Sequence, residues 1–270
     1  MKELLTRSVS GLVLLVVLLG CIFASSWAFA ALLLFIVAMG TFEMLRLQQM
    51  HNMPYLVFGE VISVGSYGIA ALSAMQVIPM RLLLLELLFV MSPFLVALFS
   101  KSKDAKQVFA AFYGSLFFLA LPSSLMLFMY RVDLFGNMSG PGLIFLVFCL
   151  MWANDIFAYL TGRLFGKHKL FPRISPGKTI EGNLGGLVFT LIAMAVFAHY
   201  AEWLPIPTAI GLAAIAVVFG ALGDLCESML KRQAGVKDSG KLIPGHGGIL
   251  DRFDSVMFGV PFIFVYLLLL

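Results

Sequence analysis

Ser228–Asp254 carries five of the eighteen Lys and Arg residues (Lys231, Arg232, Lys237, Lys241, Arg252), three of the fourteen acids (Asp238, Asp251, Asp254), one of four His (His246) and five glycines. The sequence on both sides is almost wholly apolar. A solvated connector between helices is the ordinary explanation for a polar loop in such a chain. Both charge signs, a His and a flexible backbone together suit a different task, binding a polyanion with its metal. Asp251 and Asp254 stand one helical turn apart. Either could cap a helix start, where Asp is favourable. Both of them, with Asp224 upstream and with Arg252 and His246 beside them, match the oxygen ligands of a hard cation such as Mg²⁺, which also takes phosphate oxygens of its substrate. Gly245, Gly247 and Gly248 would let backbone N–H groups approach phosphates. Asp224, Glu227 and Ser228 share one helical face. Gly223 before Asp224 permits close approach, whereas Lys231, four residues after Glu227, could simply pair with it.

A second polar cluster runs from residue 152 to 186. Asp155, Tyr159 and Gly162 step along one face of a predicted helix. Ser175-Pro-Gly-Lys178-Thr179-Ile-Glu181-Gly182 follows. It is not a Walker A loop, because the position five before Gly177 is Pro172 where that motif requires Gly. Pro and Gly still shape a turn, Lys178 offers a mobile cation, and Thr179 and Glu181 fall where the next helix begins. The free N–H groups of a helix start favour anions. A capped turn and a phosphate contact both fit this stretch.

These clusters must be positioned by membrane helices. The chain has 270 residues, 61% hydrophobic and 12% charged, with mean hydropathy +1.02. Soluble domains are nearer half apolar and a quarter charged. Crossing a bilayer takes roughly 20 apolar residues. Segments near 8–24, 27–45, 55–74, 80–100, 108–130, 141–162, 183–201, 207–230 and 255–270 qualify, although the first and last are short and the first pair could form one re-entrant hairpin. The expectation is an all-α, polytopic integral membrane protein of about nine helices. Its parts would be 1–107 (about four helices), 108–140 (a middle helix and an external loop) and 141–270, a catalytic region with cytoplasmic loops 163–182 and 231–254. With this segmentation sixteen Lys and Arg fall on one side and Arg81 and Arg131 on the other. Basic loops stay inside, so the N-terminus and the polar loops should face the cytoplasm, beside anionic lipid. Lys101–Lys106 reads as a topology anchor, and residues 131–140 as a polar outer loop. Glu43, Glu60 and Glu86 lie near segment ends, where a local partner would suffice; Glu43 has Arg46 at i,i+3. Cys21, Cys149 and Cys226 sit in apolar segments without ligand spacing and read as small buried hydrophobes. The paired segments show no inverted duplication, which weakens a transporter reading.

The stretch Ser228, Lys231, Arg232, Lys237, Asp238, Pro244, His246, Gly247, Gly248, Asp251, Arg252, Asp254 resembles, without a break, the signature of the CDP-diacylglycerol synthases, or phosphatidate cytidylyltransferases. Asp155 to Gly182 is similar to that family's second polar motif, whereas residues 1–107 match only in being apolar. The resemblance implies transfer of CMP from CTP to phosphatidic acid, giving CDP-diacylglycerol and pyrophosphate. It also implies Mg²⁺, a second cation (K⁺) nearby, an all-helical fold that forms a homodimer in the inner membrane, and metal carried on Asp224 and Asp251. With Asp254 added as a third ligand or orienter, the expected catalytic residues are Asp224, Asp251, Lys237, Asp238 and His246. The expected substrate contacts are Asp155, Lys178, Thr179, Glu181, Ser228, Lys231, Arg232, Ser239, Lys241, Gly247, Gly248 and Arg252. No nucleic-acid partner is expected. Two other classes compete. A CDP-alcohol phosphatidyltransferase would need a Gly-x-x-Ala-Arg core after its paired Asp, which is missing here. An ion-coupled transporter would use Asp155 and Asp224 as a path.

Overall fold

The computed structural model describes residues 2–100, 104–131, 140–201 and 203–270, with side chains from residue 5 onward. The charged turn expected at 101–106 and the outer loop at 131–140 lie largely outside the described residues. In lipid, backbone groups must be paired within their own segment, which leaves helices as the solution for long apolar runs. The helices are α1 (Lys2–Ala24), α2 (Ser26–Leu47), α3 (Met53–Ala74), α4 (Glu86–Phe99), α5 (Ala105–Ser115), α6 (Leu121–Arg131), α7 (Pro141–Phe165), α8 (Ile180–Tyr200), α9 (Ile206–Gln233) and α10 (Leu250–Leu268). A 3₁₀ stretch (Met80–Leu85) leads into α4, and a π-helical stretch (Leu116–Ala120) joins α5 to α6. Starts follow local chemistry. Ser25 Oγ accepts from Ala28 N (3.1 Å), the Asp104 carboxylate from Lys106 N (3.1 Å) and Thr179 Oγ1 from Gly182 N (3.1 Å), while Pro141 opens α7 after Gly140.

Eight segments among the described residues are long and apolar enough to cross a membrane: 5–24, 26–47, 53–74, 80–99, 105–131, 141–165, 180–200 and 206–233. The protein is thus polytopic and all-α. α1 and α2 each qualify separately, so the re-entrant hairpin is not needed. The ninth predicted segment is helical as α10. However, Asp251, Arg252 and Asp254 occupy three of its first five positions, and the apolar remainder of this 19-residue helix is short for a span. The sequence reading did not anticipate a small antiparallel ribbon, β1 (Lys169–Phe171) with β2 (Ser175–Thr179), paired Lys169 to Thr179 and Phe171 to Ser175. Pro172 follows Phe171, and Ile174 N bonds back to Phe171 O (3.1 Å), which closes the turn. Pro176 is tolerated because a two-stranded ribbon leaves outer N–H groups unneeded.

Two compact units emerge: Met1–Val132 with Gln233–Phe253, and Asp133–Arg232 with Asp254–Leu270. In the first, α2, α3, α5 and α6 form the core. Phe29 stacks on Tyr130 (centroids 5.3 Å apart), and the hydroxyls of Tyr67 and Tyr130 donate to Ala30 O and Ile22 O, both at 2.8 Å. In the second, α7 and α8 meet along a seam of small residues. A Cβ on Gly185 would collide with the Thr161 side chain, and one on Gly186 would come within 2.5 Å of Asn154 Oδ1. Lipid tails are as apolar as the helices, so close backbone approach and interhelical hydrogen bonds must hold such a pair. Thr161 Oγ1 accordingly donates to Gly182 O at 3.1 Å.

Candidate active site

The second unit contains a cavity of about 420 Å³. α7 lines it with Asp155, Tyr159 and Gly162, the face that the four-and-three spacing predicted, and with Asn154. β2 and the start of α8 contribute Lys178, Thr179 and Asn183, and α9 contributes Asp224. The ribbon places Lys178 where its ammonium forms an ion pair with Asp224 Oδ2, so a cation and a carboxylate face one space. Ser228 Oγ donates to Asp224 Oδ1 at 3.2 Å, one turn along α9. Asp224 and Ser228, which their spacing places on one face, are thus bonded partners. Thr179 caps α8, as its position suggested, and it also lines the cavity. Anions are favoured at such a start.

Asp254, in the second turn of α10 and outside the eight spans, is a further acid of this unit. It is buried, and Ser255 N donates to its Oδ1 at 2.7 Å. Burial first, then the neighbouring charge of Asp224, push its carboxyl up to about 7. A Cβ on Gly223 would meet Asp254 O at 2.8 Å, so glycine is what lets α9 and α10 approach here. A cation held nearby would relieve the charge that Asp224 places on Asp254. An acid pair completed by phosphate and water oxygens fits Mg²⁺, which keeps several waters and demands few protein ligands. No group of three or more His, Cys, Asp or Glu is poised for a metal among the described residues.

Other residues expected at the site make bonds within this unit. Glu227, fully buried, pairs with Lys231 at i,i+4 inside α9, so Lys231 lines neither cavity described here. Glu181 accepts from the backbone N–H of Lys167 (3.1 Å) and His168 (3.2 Å) and bonds His168 Nδ1 at 2.6 Å, pinning the end of α7 to the start of α8. Arg232 Nε donates to Ile174 O at 3.3 Å and steadies the ribbon turn.

The first unit carries the loop that leads into α10. A cavity of about 520 Å³ is lined by Lys237, Asp238, Lys241, His246, Gly247 and Arg252, and by Arg7 of α1. Gly245 and Gly247 have φ of +77° and +90°, a region that favours glycine. Ile243 N donates to Gly247 O (2.9 Å), closing the turn. Ser10 Oγ sits 2.8 Å from both His246 Nδ1 and Pro244 O, which ties the loop to α1. Burial, Arg252 and Arg7 all hold the His246 pKa below its ordinary value.

Glu43 of α2 governs this loop. It is 5% exposed, and its carboxylate accepts from Ile249 N (3.0 Å), Leu250 N (3.0 Å) and Ser239 Oγ (2.9 Å). It thereby satisfies N–H groups at the start of α10 that the helix itself leaves orphaned. Asp251 Oδ2 completes the staple, accepting from Ser239 N (2.9 Å), Ser239 Oγ (3.0 Å) and Gly248 N (2.8 Å). Its donors belong to the loop before α10, so these bonds fasten the loop and are not a cap on the helix's own N–H groups. Arg46, the neighbour expected for Glu43, instead lies over the Phe42 ring at 4.6 Å. Sequence reasoning missed Arg7, Ser10 and Glu43 as site residues. An acid inside an apolar segment was the one available signal for Glu43; nothing local marked Arg7 or Ser10.

With this geometry in view, a family model described as the cytidylyltransferase family matches residues 5–270. The chain belongs to that family. Membership leaves the phosphatidyltransferase and transporter readings without support. Among relatives of the family, a phosphatidate cytidylyltransferase of Staphylococcus haemolyticus is 52% identical over 122 residues, covering 45% of this chain and 47% of the relative. One of Staphylococcus saprophyticus is 48% identical over 146 residues (52% and 54%), and one of Haemophilus influenzae 48% over 132 residues (46% and 44%). The chain thus spans about half the length of the curated relatives it matches.

Proposed function

We propose that this protein is a phosphatidate cytidylyltransferase. A phosphate oxygen of phosphatidate attacks the α-phosphorus of CTP and forms the new P–O bond. The bond from that phosphorus to the bridging oxygen breaks, and pyrophosphate leaves with the electron pair. Such transfers depend on positioning and charge neutralisation more than on covalent chemistry. The phosphate monoester is already largely ionised near neutral pH, so no general base is required.

The observation that carries this reading is the second unit's cavity, in which Lys178 and Asp224 form an ion pair, with the buried Asp254 in the same unit. Lys178 supplies a point charge for a phosphate, and Thr179 together with the first N–H groups of α8 supplies donors. Asp224 and Asp254 would hold Mg²⁺, which when bound neutralises charge on the phosphate oxygens. In the first unit, Lys237, Lys241 and Arg252 are phosphate clamps, while Glu43 and Asp251 hold the loop that presents them. The basic loops face the cytoplasm, where CTP is, and this orientation follows from the charge bias.

The test supplies the purified chain in detergent with labelled CTP and phosphatidate. CDP-diacylglycerol and pyrophosphate should appear in equal amounts, stop on chelation and resume with Mg²⁺. Absence of any labelled lipid under all three conditions would remove the proposal.

A further inference from the structure

Four cationic side chains line the first unit's cavity: Arg7, Lys237, Lys241 and Arg252. Asp238 is the acid among them, and none of the four forms an ion pair among the described residues. Three belong to the signature loop. The fourth comes from α1, a part of the chain whose sequence is otherwise plain membrane anchor. Its placement is specific, since a Cβ on Gly245 would lie 2.7 Å from Arg7 Cγ and one on Gly11 would lie 3.3 Å from His246 Cε1. The Ser10 hydroxyl fastens the same turn of α1 to His246 and Pro244. The positive field is felt locally, because Arg7 and Arg252 both disfavour protonation of His246.

α1 has a second property. Only 11% of its apolar window is buried, and Leu12, Val13, Val16 and Val17, in the turns after Arg7 and Ser10, stand open. Arg7 therefore stands at the polar end of a bare apolar helix. A free nucleotide phosphate has no use for such a helix, whereas a lipid carrying a phosphomonoester needs both features. We propose that the cavity rimmed by Arg7 and the signature loop binds the phosphomonoester headgroup of a membrane lipid, with the acyl chains running beside α1. This deepens the functional reading above by assigning the lipid substrate to this cavity and by adding Arg7 to its contacts; it rests on that reading only for the lipid's role as acceptor.

Binding is measured without turnover, on the full chain in detergent, with a short-chain phosphatidate, the matching phosphatidylcholine and CTP as separate titrants. The wild type should bind phosphatidate and not phosphatidylcholine. Arg7→Gln should weaken phosphatidate binding about tenfold, the order expected for one charge-assisted contact, and leave CTP affinity unchanged. Lys241→Gln, in the loop, should do the same, so the test survives if one variant fails to fold, and Arg7→Lys should retain part of the affinity. Unchanged phosphatidate affinity in folded Arg7→Gln and Lys241→Gln overturns the proposal. So does a loss that falls on CTP, since nucleotide phosphates would then fill the cavity. Selective phosphatidate binding by a chain that transfers no CMP would uphold this site while sinking the proposed reaction.

Discussion

The two cavities are built by opposite means. In the second unit the candidate side chains ride on regular elements: Asp155 on α7, Lys178 on β2 and Asp224 on α9 line the cavity, and Asp254 lies on α10. Their supports are short-range, such as Ser228 on Asp224 and Thr179 on the start of α8. In the first unit the side chains ride on an irregular loop, and its supports come from far along the chain. Glu43 is 206 residues from Ile249, and Ser10 is 236 from His246. A helix positions its residues through its own hydrogen bonds, whereas a loop must borrow partners, and here it borrows a buried carboxylate. Removing a functional residue should therefore cost chemistry in the second unit, while removing a support should cost structure in the first.

Asp224→Asn is the sharpest test of that contrast. It keeps the shape and the Ser228 bond but removes the charge that pairs with Lys178 and raises the Asp254 pKa. Turnover should fall about 10³-fold, the scale of losing one preorganised electrostatic group, with an unchanged melting temperature. Early melting of the Asp224→Asn variant would place Asp224 among the supports. Glu43→Gln should behave the other way. An amide turned toward backbone N–H donors forfeits bonds to a charged acceptor worth about 1.5–3 kcal/mol each, so stability should drop by about 3 kcal/mol and proteolysis of residues 234–249 should speed up. Thermal melts and limited digestion read this directly, and a wild-type melt would mean that the loop holds itself.

Within the second unit, Gly185→Val tests whether the α7–α8 seam holds the cavity's walls. Its Cβ would overlap Thr161, and overpacking of this kind costs about 1–3 kcal/mol. Activity should fall together with stability. The smallest effect concerns pH. The folded pKa of His246 lies below the ordinary value of 6.5. Below about pH 6.5 the unfolded chain thus binds the extra proton first, and stability falls as pH drops from there toward the folded pKa. Above that pH the contribution is constant. Arg7→Gln removes one cause of the depression and should flatten the slope just below about pH 6.5 in a melting series.

The amino-acid sequence by itself determined the class of the fold and half of the site. Apolar runs long enough for lipid can satisfy their backbones only as helices, so α1 to α9 follow from hydropathy. Side chains three and four apart must share a face, so Asp155 with Tyr159 and Glu227 with Lys231 were legible as neighbours. The three charges at the head of α10, plain in the sequence, are why that helix falls outside the candidate spans. What the tertiary structure alone decided is non-local. Glu43 looked like an acid at a segment end beside Arg46, and Arg7 was only one of the sixteen basic residues counted on one side. Only folding brings each against a loop far along the chain, as the 196 residues between Glu43 and Ser239 illustrate, because a bond across such a separation leaves no periodic trace. The Lys169–Thr179 ribbon is a lesser case. Its pairing is set by the Pro172 turn, and that turn aims Lys178 at Asp224.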